Sequence, residues 1–415
     1  MLHRVPSWLV PASALVLAGL VLPRPSSPGT DAGPSTSTAA AQKKLAAAAP
    51  AAPELPIRIG EISFDEASGR YVAPLGDRRA TLTLDPGLQD RLERALDTYR
   101  VPWGATVLIE PATGRILALA EHSRAEPGRR GLSLAALAPA ASIFKLVTAA
   151  ALLEQGTLPD EEVCYHGGKH RLAPKLLADD PRRDHRCVTL ASAFGHSTNV
   201  VFAKLADRGL DAGRLRATAE RFLFNTEIPF AHPVEISKAD IPDDDFGFAN
   251  TAAGFGGVKL SPLHAALLAA IVANEGVLVP PVIVDAVEGG PVPSAGDPRR
   301  VIEEPVAAEL ARMMRSTVTE GTARRAFARA RGPLRSIPVA GKTGSLADAQ
   351  PYRDYSWFVG YAPADRPQVA IATVVVNERL WHARAPTVAR EALEAYFASH
   401  VASAKGGELR TAAAR

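Results

Sequence analysis

ASIFKLVTAAALLEQG, residues Ala141 to Gly156, sets Ser142 and Lys145 three positions apart at the head of an apolar, Ala- and Leu-rich run. Such a run predicts a helix, and positions three apart in a helix lie on one face, within reach of each other. A serine hydroxyl is a weak nucleophile until a base takes its proton. A lysine becomes that base when burial lowers its pKa, and Ile143, Phe144, Leu146 and Val147 supply apolar neighbours. Gly156 marks the end of the helix. A lone S-x-x-K also occurs in ordinary core helices, so its meaning rests on the rest of the chain.

Toward the C-terminus, Thr189 to Gly209 predicts one helix carrying Ser197-Thr198-Asn199 in its middle. Ser261 to Gly276 predicts another, with Ser261 as its cap, Pro262 in its first turn and Gly276 as its stop. Pro305 to Val318 is a third, and Glu320-Gly321-Thr322 marks a turn after it. Three strands follow, PVAGKTGSL (338–346), SWFVGYAP (356–363) and QVAIATVVVN (368–377). Pro386 to Phe397 is a closing helix, and residues 402–415 read as a frayed tail.

Toward the N-terminus, GATVLIEPATGRILALAEH from Gly104 is two apolar, β-branched runs around Pro111-Ala112-Thr113-Gly114, a hairpin. Apolar residues occupy both alternations, which predicts central strands covered on both faces. Before it, Asp85 and Pro86 open a helix with Leu88, Leu92, Leu96 and Tyr99 on its apolar stripe. Residues 57–84 predict a small β region with a hairpin turn at Ser68-Gly69. Two strands early, helices between and three strands late give an α/β (α+β) fold. That order predicts a mainly antiparallel five-stranded sheet flanked by helices, with an inserted all-helical subdomain.

The composition is globular, with 47% hydrophobic and 22% charged residues and a net charge of +3. No long basic run points to nucleic acid. In residues 1–24, His3 and Arg4 precede an apolar run from Trp8 to Leu22. That order predicts an export signal, either cleaved or kept as a membrane anchor. Residues 25–56, rich in Ala, Pro, Ser and Thr, read as a disordered linker. The ordered domain is expected over 85–401.

Ser142-x-x-Lys145, then Ser197-x-Asn199, then Lys342-Thr343-Gly344, in this order, form a set that a single motif does not. On these motifs the chain resembles the penicillin-binding protein transpeptidases. The likeness extends over about residues 80–400. It includes TLTLDPGLQDRLERAL, AAGFGGVKLSPLHAALLAAIVANEGVLVPP, VTEGTARRA and WFVGYAPADRPQVAIA. Two positions depart from the family's habit: Ile143 stands where threonine is common, and Phe255 where glutamine is common.

The resemblance implies an acyl-enzyme mechanism on the bond between two D-alanines of a peptidoglycan stem peptide. Ser142 would be the nucleophile and Lys145 its base. Ser197 would relay a proton to the leaving amine, assisted by Lys342. Asn199 would hold the substrate amide, while Thr343 and Ser345 bind its terminal carboxylate and Gly344 lets the strand come close. The backbone N–H groups of Ser142 and Ser345 would form the oxyanion hole. No metal or cofactor is called for. Implied partners are stem peptides, β-lactam antibiotics as covalent inhibitors and other cell-wall synthesis proteins, with the catalytic domain on the outer face of the cytoplasmic membrane. Alternatives are a D,D-carboxypeptidase or endopeptidase, a class D-like serine β-lactamase, and a non-catalytic penicillin sensor or scaffold. In an exported chain Cys164 and Cys187 are expected to form a disulfide. A zinc site from Cys164, His166, His185 and Cys187, and two free thiols, stay open beside it.

Overall fold

The computed structural model describes residues 56–169 and 171–413, with side chains to residue 400. The readings of a targeting segment and, but for Pro56, of a linker lie outside the described residues. Among the described residues no helix is long and apolar enough to cross a membrane.

The chain opens with strands β1 (Ser63–Asp65), β2 (Arg70–Leu75) and β3 (Arg78–Leu82), then helix α1 (Pro86–Thr98). Asp85 caps α1 by accepting from the Leu88 N–H at 2.8 Å. Strands β4 (Trp103–Ile109) and β5 (Ile116–Ser123) form the expected hairpin. The helical part holds α2 (Lys145–Glu154), α3 (Leu190–His196), α4 (Asn199–Gly209), α5 (Ala212–Arg221) and α6 (Asp245–Ala252). Between α2 and α3, strands β6 (Glu162–Tyr165) and β7 (Arg186–Thr189) pair antiparallel. Helix α7 (Pro262–Ala273), strand β8 (Val284–Val287) and helix α8 (Glu304–Thr319) lead to β9 (Ala340–Ala349), β10 (Tyr352–Ala362) and β11 (Val369–Asn377). Helix α9 (Ala385–Ala413) ends the described chain. It runs well beyond Phe397, because the alanine-rich sequence after that residue holds no proline to stop it.

The main sheet has the order β9-β10-β11-β4-β5, antiparallel throughout. Its two faces are sorted by the two-residue period of a strand. Val107, Trp357, Val359, Tyr361, Ala372 and Val374 belong to the core that includes α7 and the helical part. Leu108, Phe358, Ile371 and Val375 belong to a second core with α1 and α9. Helix α7 is buried on every side, as a helix apolar all round must be.

The N-terminal β region is not local. Strand β8, two hundred residues later, completes its sheet in the order β1-β2-β3-β8. Asp285 on β8 accepts from Arg70 at 2.7 Å and from Arg115 at 2.6 Å, tying that sheet to the turn of the β4–β5 hairpin.

The expected single helix from Thr189 to Gly209 is two helices. Ser197 adopts φ 56°, ψ 46° between them, a left-handed conformation that costs an L-residue roughly 1–2 kcal/mol. The Ser197 and Thr198 N–H groups bond back to the Phe194 and Ala193 carbonyls at 3.2 and 2.8 Å, closing α3, and Lys342 donates to the Ser197 hydroxyl at 2.9 Å.

Candidate active site

The segment leading to Ser142 is fixed from three sides. Ala138–Pro139 pairs with Lys259–Leu260, and Trp357 Nε1 on β10 donates to the Pro139 carbonyl at 2.9 Å. Ala141 then takes φ 49° before a 3-10 turn, Ala141–Phe144, passes into α2. Gly254 backs this turn: a Cβ there would lie 2.4 Å from the Ala141 carbonyl oxygen. Gly344 on β9 backs it from the other side, where a Cβ would meet Ile143 Cγ1 at 3.1 Å and the Ala140 carbonyl at 3.2 Å. Ile143 is fully buried, so the departure from threonine puts an apolar contact beneath the strand.

Lys145, at the first turn of α2, is completely buried. Its Nζ lies 2.9 Å from Ser142 Oγ and 2.7 Å from Asn199 Oδ1, and it donates to the Ala253 carbonyl. The Phe202 ring of α4 closes the remaining side, with its centroid 5.5 Å away. The orientation of the Asn199 amide is set by its other end, since Nδ2 donates to the Lys169 carbonyl at 2.8 Å. Burial pushes the Lys145 amine well below its ordinary value, and the charge of Lys342 adds to this. A neutral amine has two N–H donors and one lone pair. Asn199 Oδ1 and the Ala253 carbonyl can only accept, so they take the two donors. The lone pair is left for the Ser142 hydroxyl proton.

Ser197 sits at the break between α3 and α4. Its Oγ accepts from Lys342 Nζ at 2.9 Å, and Lys342 also donates to the Thr343 carbonyl at 3.0 Å. Lys342 is fully buried on β9, over the Phe194 ring at 5.4 Å. Burial lowers its amine to about 7, so near neutral pH it exchanges a proton readily. Thr343 and Ser345 share a strand face by the two-residue period, and Ser345 is exposed.

All the residues singled out in the three motifs therefore converge on the same edge of β9 and the start of α2. Other members were missed. Thr322, in the turn after α8, has its Oγ1 2.5 Å from Thr343 Oγ1. The Ala253 carbonyl, the Lys169 carbonyl and the rings of Phe194 and Phe202 gave no signal either, because backbone atoms and core aromatics carry no motif. Asn199 has both ends of its amide engaged with protein atoms, so in this state it orients Lys145 as well as lining the cleft.

Cys164 and Cys187, facing each other across β6 and β7, are bonded with an S–S distance of 1.99 Å. Their sulfurs are thus joined to each other rather than available as thiolate ligands. His166 turns to Asp184.

Comparison with known proteins gives a consistent result. The model of the penicillin binding protein transpeptidase domain matches residues 104–395. Peptidoglycan D,D-transpeptidase PbpA of Mycobacterium tuberculosis is 28% identical over 315 residues, which cover 66% of this chain and 62% of that protein. Penicillin-binding protein PbpB of Mycolicibacterium smegmatis is 27% identical over 356 residues, or 76% of this chain and 54% of that protein. The chain thus spans little more than half the length of these relatives. Structures of penicillin-binding protein A from M. tuberculosis as ceftriaxone and imipenem acyl-enzyme complexes are 25% and 26% identical. Each superposes with a TM-score of 0.63 over 78% of this chain and 80% of that one.

Proposed function

The chain belongs to the penicillin-binding protein transpeptidase family, and on that premise we propose that it is a peptidoglycan D,D-transpeptidase working through a Ser142 acyl-enzyme. The observation that carries this reading is the set of partners around Lys145, which leaves an amine lone pair facing the Ser142 hydroxyl.

The steps follow from the groups present. Ser142 Oγ attacks the carbonyl of the penultimate D-alanine while its proton passes to Lys145 Nζ. The negative oxygen of the tetrahedral intermediate is held by the backbone N–H groups of Ser142 and Ser345. On collapse the C–N bond breaks, and the departing amine takes a proton from Ser197, which Lys342 resupplies. The terminal carboxylate rests on Thr343 and Ser345, near the charge of Lys342. An amine of a neighbouring stem peptide then attacks the ester carbon and gives up a proton through Ser197 to Lys342, while Ser142 leaves and takes back the proton held by Lys145.

Fast hydrolysis of β-lactams needs a base for water. The hydrogen-bond partners of Lys145 are a hydroxyl, an amide and a carbonyl, with no carboxylate among them. No carboxylate base among the described residues therefore stands beside the amine, and the lifetime of the adduct reads whether Lys145 itself activates water. The named relatives support a place in the cell envelope, with residues 1–24 as the export or anchoring segment.

Mass spectrometry of the chain after exposure to benzylpenicillin tests the reading. A long-lived adduct on Ser142, absent from Ser142→Ala, is expected. No adduct, or rapid release of hydrolysed drug, would overturn it.

A further inference from the structure

One buried polar side chain of α2 has no part in the three motifs. Thr148 lies one turn beyond Lys145 on the same face and is completely buried. Its Oγ1 lies 2.8 Å from the Ala252 carbonyl of α6, against 3.5 Å from the Phe144 carbonyl of its own helix. A hydroxyl has a single proton, and the shorter contact takes it.

That bond bears on the site through the way α6 ends. Gly254 follows the helix with φ 94°. Its N–H returns to the Thr251 carbonyl at 2.8 Å, and the Phe255 N–H returns to the Asn250 carbonyl at 3.1 Å, a paired closure that favours glycine at this position. The closure leaves over the last two carbonyls, those of Ala252 and Ala253. Both residues are buried, so their carbonyls need partners. Both are met by α2: Ala252 accepts from Thr148 and Ala253 accepts from Lys145. Successive carbonyls of α6 are thus paired with residues three apart on α2.

The carbonyls at a helix C-terminus form the negative end of its dipole. They are too weak to keep the buried Lys145 amine charged at rest. Once the Ser142 proton arrives, they favour the ammonium that forms. Resting on the transpeptidase reading, we propose that Thr148 is a positioning residue for acylation. Its hydroxyl holds the end of α6 so that the Ala253 carbonyl keeps the Lys145 lone pair on Ser142 and then supports the ammonium. Thr148 itself touches neither substrate nor reacting atoms and acts through the Ala252–Ala253 peptide.

The test is the rate constant of acylation by saturating benzylpenicillin between about pH 5 and 8, read by rapid-quench mass spectrometry on the full chain. The charge acting on Lys145 is that of Lys342 on β9, which is present in every variant. The contacts of Lys145 from α2, α4 and α6 are neutral: Ser142, Asn199, Phe202 and Ala253. A difference between variants therefore reports the support given to Lys145.

Thr148→Val keeps the shape and loses the hydroxyl. It is expected to lower the plateau rate about tenfold. It should also move the acid limb, where Lys145 gains its proton, down by about half a pH unit, because a less supported ammonium gives up its proton more readily. Thr148→Ser returns the hydroxyl and should restore both rate and limb to within about twofold of wild type. A purely structural threonine gives another result: fewer chains take the drug at long times, while those that do react with the wild-type rate and limb. That result overturns the proposal. So does a wild-type profile in Thr148→Val, or a Thr148→Ser profile that matches Thr148→Val. Should Thr148→Val not fold, Thr148→Cys, a weaker donor of similar size, is expected to shift rate and limb in the same directions by smaller amounts, and a wild-type profile there overturns the proposal. A wild-type chain that takes no penicillin overturns the transpeptidase reading together with this one, whereas the other outcomes leave that reading standing.

Discussion

Helix α4 touches two enclosed lysines, and they do opposite things. Lys145, reached through Asn199 and Phe202, has a hydroxyl, an amide oxygen and a carbonyl as partners. Lys204, on the helix itself, has the carboxylates of Asp184 and Asp179. Removing a lysine from water penalises its charge by several kcal/mol unless an opposite charge compensates. Around Lys145 nothing does, so its amine is driven toward the neutral form. Around Lys204 the Asp184 carboxyl is held far below the usual carboxylate range by its bonds to Lys204, the Asp180 N–H and His166, despite its burial. The same residue type at the same burial is driven toward a neutral amine in one place and pairs with carboxylates in the other, and the difference lies in the partners.

Substitutions at five places sharpen or break this contrast. The largest effect is expected at the base. Lys145→Met should slow acylation by benzylpenicillin about a thousandfold. Lys145→Arg should not rescue it, because a guanidinium stays charged. Rapid-quench mass spectrometry reads both, and a fast Arg variant would end the neutral-base argument.

At the paired lysine, Lys204→Met strands the buried Asp184 carboxylate and should cost about 3–5 kcal/mol of stability. Adding Asp184→Leu should recover much of the loss in urea denaturation. If the double variant is no more stable than the single one, the penalty is not that of an unpaired charge. Opening the β6–β7 loop with Cys164→Ala/Cys187→Ala should cost about 3 kcal/mol through the freedom gained by the unfolded chain. It should also slow acylation, since the Lys169 carbonyl that orients Asn199 belongs to that loop.

Lys342 lies between the two cases, with an amine at about 7. Below that pH it is charged and attracts a carboxylate. The acylation rate of benzylpenicillin at low concentration should therefore fall severalfold as pH rises from 6 to 9. Stability runs the other way. The unfolded chain binds this proton with the ordinary value of 10.5, so between about 7 and 10.5 it holds more protons than the folded chain. The contribution of this site to stability rises with pH across that window, and Lys342→Met should flatten the rise.

The smallest effect is at Thr322. Removing its hydroxyl in Thr322→Val leaves Thr343 without the oxygen 2.5 Å away. A loss of about 1 kcal/mol is expected, seen as weaker capture of carboxylate-bearing β-lactams with little change in the acylation step. Thr322→Ser should restore it.

Much of this was readable in advance. The helix from Ser261, the hairpin around Gly114 and the three last strands stand where periodicity and turn residues placed them. The five-stranded antiparallel sheet has the expected composition. Lys204 was not readable. In NVVFAKLADRG it looks like a surface lysine of an amphipathic helix, and it is enclosed only because acidic residues some twenty positions earlier fold over it. Strand β8 was missed for the same reason, since its partner β3 lies two hundred residues away. Ser197 was read inside one helix because a left-handed cap is usually a glycine or asparagine, and its hydroxyl's partner Lys342 lies far along the chain.

The sequence by itself marked out the side chains that the proposed mechanism uses, because a nucleophile, a base and carboxylate ligands must be particular residue types at spacings that helix and strand periods impose. It also determined the alternation that buries both faces of the sheet. Only the tertiary structure decided the lowered pKa of Lys145 and Lys342, the orientation of Asn199 and the enclosure of Lys204. Those depend on how much water is excluded and which oppositely charged or hydrogen-bonding atoms arrive from distant parts of the chain, and no local pattern records that.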